Sequence, residues 1–189
     1  ELMIETNIWT ETKSILQYIR SDTVIFRAIL GISWFWLFGA TFLSQFPTFA
    51  KDVIGGNEQV VTLFLAVFSI GIGIGSLLCN KLLKGDIHTT YVPLGILGMS
   101  IFTMDLYFAS SQVVPQVNEV LIGVYAYLGT FTHWRILIDL LGISICGGIY
   151  IVPLYALIQA RTEDSHRSRT IAGNNIMNAL FMVVSAIVI

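Results

Sequence analysis

Long apolar runs separated by short polar segments make up most of the chain. A helix that crosses a bilayer needs about 20 consecutive, predominantly apolar residues. Five runs reach that length, namely Val24–Phe49, Val60–Leu83, Tyr91–Ser110, Ile136–Ala160 and Ile171–Ile189. The pattern therefore predicts an all-α fold, a polytopic membrane helical bundle with about five transmembrane helices, the last of which is truncated where the sequence stops.

The predicted bundle occupies residues 24–189 and follows a more polar segment, residues 1–23. Ile15 and Ile19 lie at helical spacing in that segment, with Lys13 and Arg20 interleaved. The pattern fits an amphipathic helix on the cytoplasmic membrane surface and equally an ordinary cytoplasmic linker, and the sequence leaves both open.

The composition agrees with a membrane protein. Hydrophobic residues make up 55% of the 189 residues and charged residues 12%, whereas soluble domains carry about 25% charged residues. The net charge of −2 offers no basic surface for nucleic acid. The chain starts at Glu1 rather than at an initiator methionine, so we expect it to be a fragment of a longer protein.

The basic residues predict the orientation of the spans. Eight of the ten Lys and Arg residues fall on one side of the predicted membrane, and these are Lys13, Arg20, Arg27, Lys81, Lys84, Arg161, Arg167 and Arg169. Only Lys51 and Arg135 fall on the other side. The positive-inside rule places the larger group, and with it the N-terminus, in the cytoplasm.

Three asparagines interrupt the last apolar run, "IAGNNIMNALFMVVSAIVI". Asn174, Asn175 and Asn178 fall within about 100° of one another on a helical wheel, and Ser185 continues their face. A polar stripe inside a membrane is expected to face protein or water rather than lipid. The asparagines are therefore predicted either to join helices by hydrogen bonds or to line a cavity.

Other polar residues lie near the outer ends of the predicted spans. Asp139 follows Arg135 by four residues, which predicts an ion pair within one helix, as part of a site or as a helix-end anchor. Asp105 has no basic partner on its own span, which indicates either a functional site or a side chain that extends to the outer interface, and the second is expected. Gln45 lies where a loosened end of the first span could line a cavity.

The second span contains "SIGIGIGS", in which small residues occupy every second position and so form pairs four residues apart. Gly71 and Gly75 share one face, and Ser69 and Gly73 share roughly the opposite face. Small residues at this spacing let two helix backbones approach closely. The motif therefore predicts close packing of this helix on both sides.

The sequence contains no recognisable catalytic or cofactor motif. "HWRILID" places Asp139 one position too far from His133 for the HxxxxD motif of glycerolipid acyltransferases. No Ser–His–Asp, zinc or nucleotide motif occurs, and Cys79 and Cys146 lie in apolar runs, as expected for small buried side chains. We therefore predict no enzymatic activity, no cofactor and no metal site.

Four stretches carry a family resemblance: "GISWFWLFGATFLSQFP", "VTLFLAVFSIGIGIGSLLCNKL", "HWRILIDLLGISICGGIYIVPLYALIQAR" and "AGNNIMNALFMVV". Together they resemble the bacterial lysophospholipid transporter family of the major facilitator superfamily, from about Trp9 to the end of the chain. The resemblance implies the C-terminal half of a twelve-helix transporter, of which this chain supplies the central loop and helices seven to eleven. Helix seven of such a transporter starts in the cytoplasm, in agreement with the orientation predicted from the basic residues.

The resemblance implies transport of lysophospholipids, chiefly lysophosphatidylethanolamine, across the bacterial inner membrane for reacylation, by alternating access. The implied partners are the lysophospholipid substrate, membrane lipids, the N-terminal transporter half and a fused or separate acyltransferase. Two alternatives stay open. The chain could be a membrane module of a fused 2-acylglycerophosphoethanolamine acyltransferase/acyl-ACP synthetase without transport of its own, or part of a facilitator for another small solute.

The resemblance also ranks the candidate site residues. In this superfamily the first, second, fourth and fifth helices of each half line or flank the central cavity, and the third is peripheral, which gives Asp105 less weight. The implied substrate-binding residues are Asn174, Asn178, Asn175, Asp139, Arg135 and Gln45. Asn174 and Asn178 are expected to face the cavity, and Asn175 is expected to bond to a neighbouring helix.

Overall fold

The computed structural model of the chain describes residues 8–83, 89–113 and 121–188, and helices account for most of them. Within these ranges, seven α-helices follow one another as α1 (Ile8–Ser21), α2 (Thr23–Thr48), α3 (Glu58–Leu83), α4 (Val92–Ser111), α5 (Val124–Leu128), α6 (Phe131–Arg161) and α7 (Arg167–Val188). A π-helical turn, Phe49–Val53, extends α2, and a 3-10 turn, Asp164–His166, precedes α7. The described residues include no extended strand.

Five of the helices are long and apolar enough to cross a membrane, namely α2, α3, α4, α6 and α7. The predicted all-α fold with about five membrane helices is therefore confirmed, and the chain is a multi-pass membrane protein. The start of α6 lies at Phe131 rather than at the predicted Ile136, and that of α7 at Arg167 rather than at Ile171. An apolar run predicts only the part of a helix that lies in hydrocarbon, whereas its hydrogen-bonded turns continue into polar sequence.

Parts of three sequence-based assignments lie outside the described residues. These parts are residues 1–7 of the segment before the bundle, Lys84 among the basic residues, and Ile189 at the end of the last predicted span. Of the remainder of the segment before the bundle, Ile8–Ser21 form the helix α1.

The chain divides into two compact units, Glu1–Ala40 with Leu154–Ile189, and Thr41–Pro153. In the first unit, α1 packs on α7, where a methyl group added at Gly173 would come within 2.9 Å of Ile19. Ile15 and Ile19 are buried in this contact, and the ring of Tyr18 stacks on His166 with centroids 4.8 Å apart. The part of the apolar face of α1 that carries Ile15 and Ile19 is therefore covered by protein, whereas Trp9 is exposed.

Asp22 joins the start of α2 to the end of α6 within the same unit. Its Oδ1 accepts hydrogen bonds from the backbone N–H groups of Val24 (2.8 Å) and Ile25 (3.2 Å), as an N-cap does. Its Oδ2 accepts a hydrogen bond of 2.8 Å from Nε of Arg161. The hydrogen bond from the Arg161 guanidinium holds the pKa of the Asp22 carboxyl below its ordinary value.

We expect the pair to weaken in acid, because a carboxyl with a lowered pKa stabilises the fold fully above its unfolded-state pKa and loses that contribution as the pH falls through the folded-state value. The melting temperature of the wild type should therefore fall more steeply below about pH 4 than that of Asp22→Asn, which keeps a cap but has no charge. Asp52→Asn, at an exposed carboxyl, serves as the control. Parallel pH profiles for wild type and Asp22→Asn would contradict the assignment.

In the second unit, α6 lies in close contact with α3. A methyl group at Gly71 would overlap Ser144, one at Gly75 would overlap the carbonyl oxygen of Ile145, and one at Gly148 would come within 2.6 Å of the carbonyl oxygen of Ile72. The backbones of the two helices therefore touch, as the Gly71 and Gly75 spacing predicts. The opposite face differs from the prediction, because Gly73 is exposed and nothing in the described chain lies within 4 Å of its Cβ position.

A second set of close contacts joins α6 to α4. A methyl group at Gly95 would come within 2.8 Å of Tyr150, and one at Gly98 would overlap the sulfur of Cys146. Gly142 in turn lies under the ring of Phe102, 2.6 Å from its Cβ position to the nearest ring atom. These contacts bring α4 and α6 close enough for side chains near their ends to meet.

Candidate functional site

Three charged residues of the second unit form the charged cluster, which consists of Asp105 on α4 and of Arg135 and Asp139 on α6. Nε of Arg135 donates a hydrogen bond of 3.0 Å to Oδ2 of Asp105, and its Nη2 donates a second to Oδ1. Two parallel N–H···O contacts give this pair a fixed geometry as well as charge neutralisation. The Arg135 and Asp105 side chains are 41% and 39% exposed, so the described residues do not enclose the pair.

This pairing corrects two sequence-based predictions. Arg135 pairs across helices with Asp105 rather than along its own helix with Asp139, and Asp105 is not an isolated acid at the interface. Sequence spacing identifies partners on the same helix only. The partner on α4 becomes available because the glycine contacts of α6 bring the two helices together.

Asp139 is the buried member of the charged cluster. Its residue is only 2% exposed, and it lies eight positions after the start of α6 at Phe131, a distance of about 12 Å along the axis. The carboxyl lies within electrostatic range of both Asp105 and Arg135. Its Oδ2 atom is buried and has no hydrogen-bond partner among the residues that the structure describes.

An almost wholly apolar cavity of about 200 Å³ lies beside these helices. It is lined by Thr41, Phe42, Gln45, Phe46, Phe49, Leu106 and Leu140. Leu106 and Leu140 directly follow Asp105 and Asp139 in the sequence, so the cavity borders the two helices that carry the charged cluster. Gln45, a predicted site residue, is among the lining residues, and the Phe side chains supply a surface that suits hydrocarbon.

The polar stripe of α7 turns towards the interior of the first unit. Asn174, Asn178 and Ser185 are 5%, 7% and 4% exposed. Oγ of Ser33 on α2 donates a hydrogen bond of 2.9 Å to Oδ1 of Asn178, and both groups are buried. Of the two alternatives that the sequence leaves open, this contact supports hydrogen bonding between helices for Asn178.

Asn174 and Asn175 differ from each other in their surroundings. Oδ1 of Asn174 is buried and has no hydrogen-bond partner in the described chain. Asn175 is exposed, so the residue expected to bond to a neighbouring helix is not the one that does so. A helical wheel defines which residues share a face, but it does not tell which side of that face meets the neighbouring helix. Substrate contact by Asn174, Asn175 and Asn178 stays a prediction.

We expect Asn178→Ala and Ser33→Ala each to lower the free energy of unfolding, by about 0.6–2 kcal/mol, because each removes the same buried interhelical hydrogen bond. The double variant should lose little more than either single variant. Asn175→Ala, at the exposed position, is the control and should melt as the wild type does. Fully additive losses in thermal unfolding would show that the two side chains do not act as a pair.

His133, which lies one position too far from Asp139 for an HxxxxD motif, has a structural role. Its ring stacks on the fully buried Tyr127 with centroids 4.4 Å apart, and its Nδ1 lies 3.0 Å from the carbonyl oxygen of Tyr127. The Tyr127 hydroxyl donates a hydrogen bond of 3.2 Å to the carbonyl oxygen of His133. Burial raises the pKa of Tyr127. The pair therefore holds α5 against the start of α6, and the His133 imidazole is engaged with Tyr127 rather than with Asp139.

The charged cluster and the apolar cavity together can accommodate an amphiphile that carries charges of both signs. A guanidinium binds a phosphate, a carboxylate binds an ammonium group, and aromatic walls bind a hydrocarbon chain. No group of three His, Cys, Asp or Glu side chains in the described ranges could hold a metal ion. In comparisons with known proteins, no family model, no curated protein and no solved structure matches the chain.

Proposed function

We propose that the chain is the C-terminal half of a major-facilitator-type transporter that moves lysophospholipids, chiefly lysophosphatidylethanolamine, across the bacterial inner membrane. The observation that carries the proposal is the charged cluster of both signs beside an apolar cavity, within a bundle of membrane helices. The family resemblance of the four quoted stretches supports it independently.

The chemistry of the cluster suits a zwitterionic headgroup. In the absence of substrate, Arg135 and Asp105 neutralise each other. A phosphoethanolamine group can take over both partners, because its phosphate accepts hydrogen bonds from Arg135 and its ammonium donates to Asp105. Gln45 and the Phe residues of the cavity then face the glycerol and the first part of the acyl chain. The exchange leaves no charge unpaired in the membrane, which keeps its cost low.

The proposed orientation places the N-terminus in the cytoplasm, following the excess of basic residues on one side. In this orientation the charged cluster lies in the outer half of the membrane, at the end of α4 and the start of α6. A lysophospholipid would enter there from the outer leaflet and leave towards the cytoplasm, where reacylation takes place. Rocking of this half against an N-terminal half would move the opening from one side to the other, with no chemical change to the lipid.

Proteoliposomes that contain the full-length protein provide the test. We expect fluorescently labelled lysophosphatidylethanolamine in the donor leaflet to become protected from a membrane-impermeant quencher, at a rate that protein-free liposomes do not show. A labelled diacyl phosphatidylethanolamine is the matched control lipid and should not move. Acylation of the lysolipid without movement would favour the acyltransferase-module alternative, and neither movement nor binding would contradict the proposal.

A further inference from the structure

Asp139 is placed unusually for an ionised carboxylate. It lies in a membrane helix, 2% exposed, with one buried carboxyl oxygen that no described residue contacts through a hydrogen bond. An unpaired charge in such surroundings costs several kcal/mol, and proteins usually avoid it by neutralising the group. The only cation of the charged cluster, Arg135, is already paired with Asp105.

Within the described residues, the parts of α2, α3 and α4 that belong to this unit carry no further basic side chain away from the helix ends. The described residues of α4 contain no charged side chain besides Asp105, and residues 41–48 of α2 contain none. The charged residues of α3 lie at its ends, at Glu58 and Lys81. Among the other groups in this part of the unit, the His133 imidazole is engaged with Tyr127, and Lys51 and Asp52 are exposed.

We propose that Asp139 is a proton-binding site, protonated while Arg135 is paired with Asp105 and deprotonated when Arg135 turns to Asp139. One proton makes the cluster neutral, because the Asp105 carboxylate balances the guanidinium and the Asp139 carboxyl carries no charge. Arg135 can reach Asp139, since residues four apart on a helix are neighbours. The switch therefore requires only a side-chain rotation.

The proton has a path out of the buried position. When a substrate binds, its ammonium group occupies Asp105 and its phosphate binds one edge of the released Arg135 guanidinium. The other edge of the guanidinium then pairs with Asp139, whose O–H bond breaks. The proton passes to water at the exposed edge formed by Asp105 and Arg135. Substrate binding and proton release are thereby linked, so that a pH difference across the membrane would drive net transport. This linkage rests on the proposed function, whereas the protonated state of Asp139 does not.

Infrared difference spectroscopy of the purified full-length protein in lipid nanodiscs tests the proton directly and needs no substrate. We expect the carbonyl stretching band of a protonated carboxyl at neutral pH in the wild type, a shifted band in Asp139→Glu, and no such band in Asp139→Asn. Asp139→Asn should fold and melt as the wild type does, because an amide resembles the protonated acid. Asp52→Asn, which removes an exposed carboxyl, should leave the band unchanged.

The proposal is overturned if the band persists in Asp139→Asn, or if Asp139→Asn fails to fold while Asp139→Glu folds, since the second outcome would show that the charge is needed.

The linkage between substrate binding and proton release is measured with a pH indicator dye in weakly buffered detergent solution. Lysophosphatidylethanolamine should release a proton from the wild type and none from Asp139→Asn. Calorimetric binding without proton release would overturn the linkage, whereas absence of binding would refute the proposed function and leave the infrared result intact.

Discussion

Gly75→Ala is expected to reduce the yield of folded protein more severely than any other single methyl addition on α3. The added methyl would overlap the carbonyl oxygen of Ile145 on α6, and a backbone atom cannot rotate away as a side chain can. Overpacking of a close contact costs about 1–3 kcal/mol even where neighbours can adjust. Fluorescence-detected size-exclusion chromatography and thermal unfolding in detergent measure the effect.

The same helix offers a matched control in Gly73→Ala. Gly73 is two positions away and exposed, and nothing in the described chain lies within 4 Å of its Cβ position. We expect wild-type yield and melting temperature for this variant, or a slight gain because alanine favours a helix over glycine. Gly148→Ala approaches the same contact from α6 and should resemble Gly75→Ala. Equal behaviour of the Gly73 and Gly75 variants would refute the assigned contact.

Arg135→Gln is expected to lower lysophosphatidylethanolamine transport per folded molecule by about tenfold or more, the effect of losing a charge-assisted contact with the headgroup phosphate. The transport rate of Arg135→Lys should lie between those of Arg135→Gln and the wild type, because lysine keeps the charge but cannot donate two parallel hydrogen bonds. Flipping rates in proteoliposomes, divided by the amount of folded protein, give the measurement. Lys51→Gln, which removes an exposed basic residue, is the control and should transport normally.

A second variant separates a binding role of Arg135 from a structural one. Arg135→Gln leaves the Asp105 carboxylate without its partner, so part of its effect could arise from a destabilised helix pair. Adding Asp105→Asn removes that unpaired charge and should restore the melting temperature, whereas transport should stay low because the headgroup then lacks both its guanidinium and its carboxylate partner. Recovery of transport in the double variant would mean that the ion pair serves the fold alone.

The sequence predicts those features that depend on a single helix. The length of the apolar runs predicts the five membrane helices, and the spacing of Gly71 and Gly75 predicts the close contact of α3 with α6. It does not predict the partner of Arg135, because the choice between Asp139 and Asp105 depends on how near α4 lies to α6. The sequence does contain a partial sign that α4 lies near α6, because Gly95 and Gly98 on α4 are small residues and both make close contact with α6.

The same limit explains the asparagines and Gly73. The helical wheel groups Asn174 and Asn178 correctly, and both are buried, but it cannot show that Ser33 on α2 is the hydrogen-bond donor. The helical wheel likewise shows that Gly73 lies opposite Gly71, but it does not show whether another helix packs against Gly73. Each of these points depends on the arrangement of helices that are distant in sequence.

The hydrogen bond between Ser33 and Asn178 has a consequence for synthesis of the protein. Its two residues are 145 positions apart, and the first unit as a whole combines the beginning of the chain with its end. A ribosome working at about 5–20 residues per second must therefore translate for several more seconds after α2 has emerged before α2 can meet α7. Residues 41–153 are contiguous in the sequence, so the second unit can assemble before α7 has been synthesised. During that time Ser33 lacks its final hydrogen-bond partner.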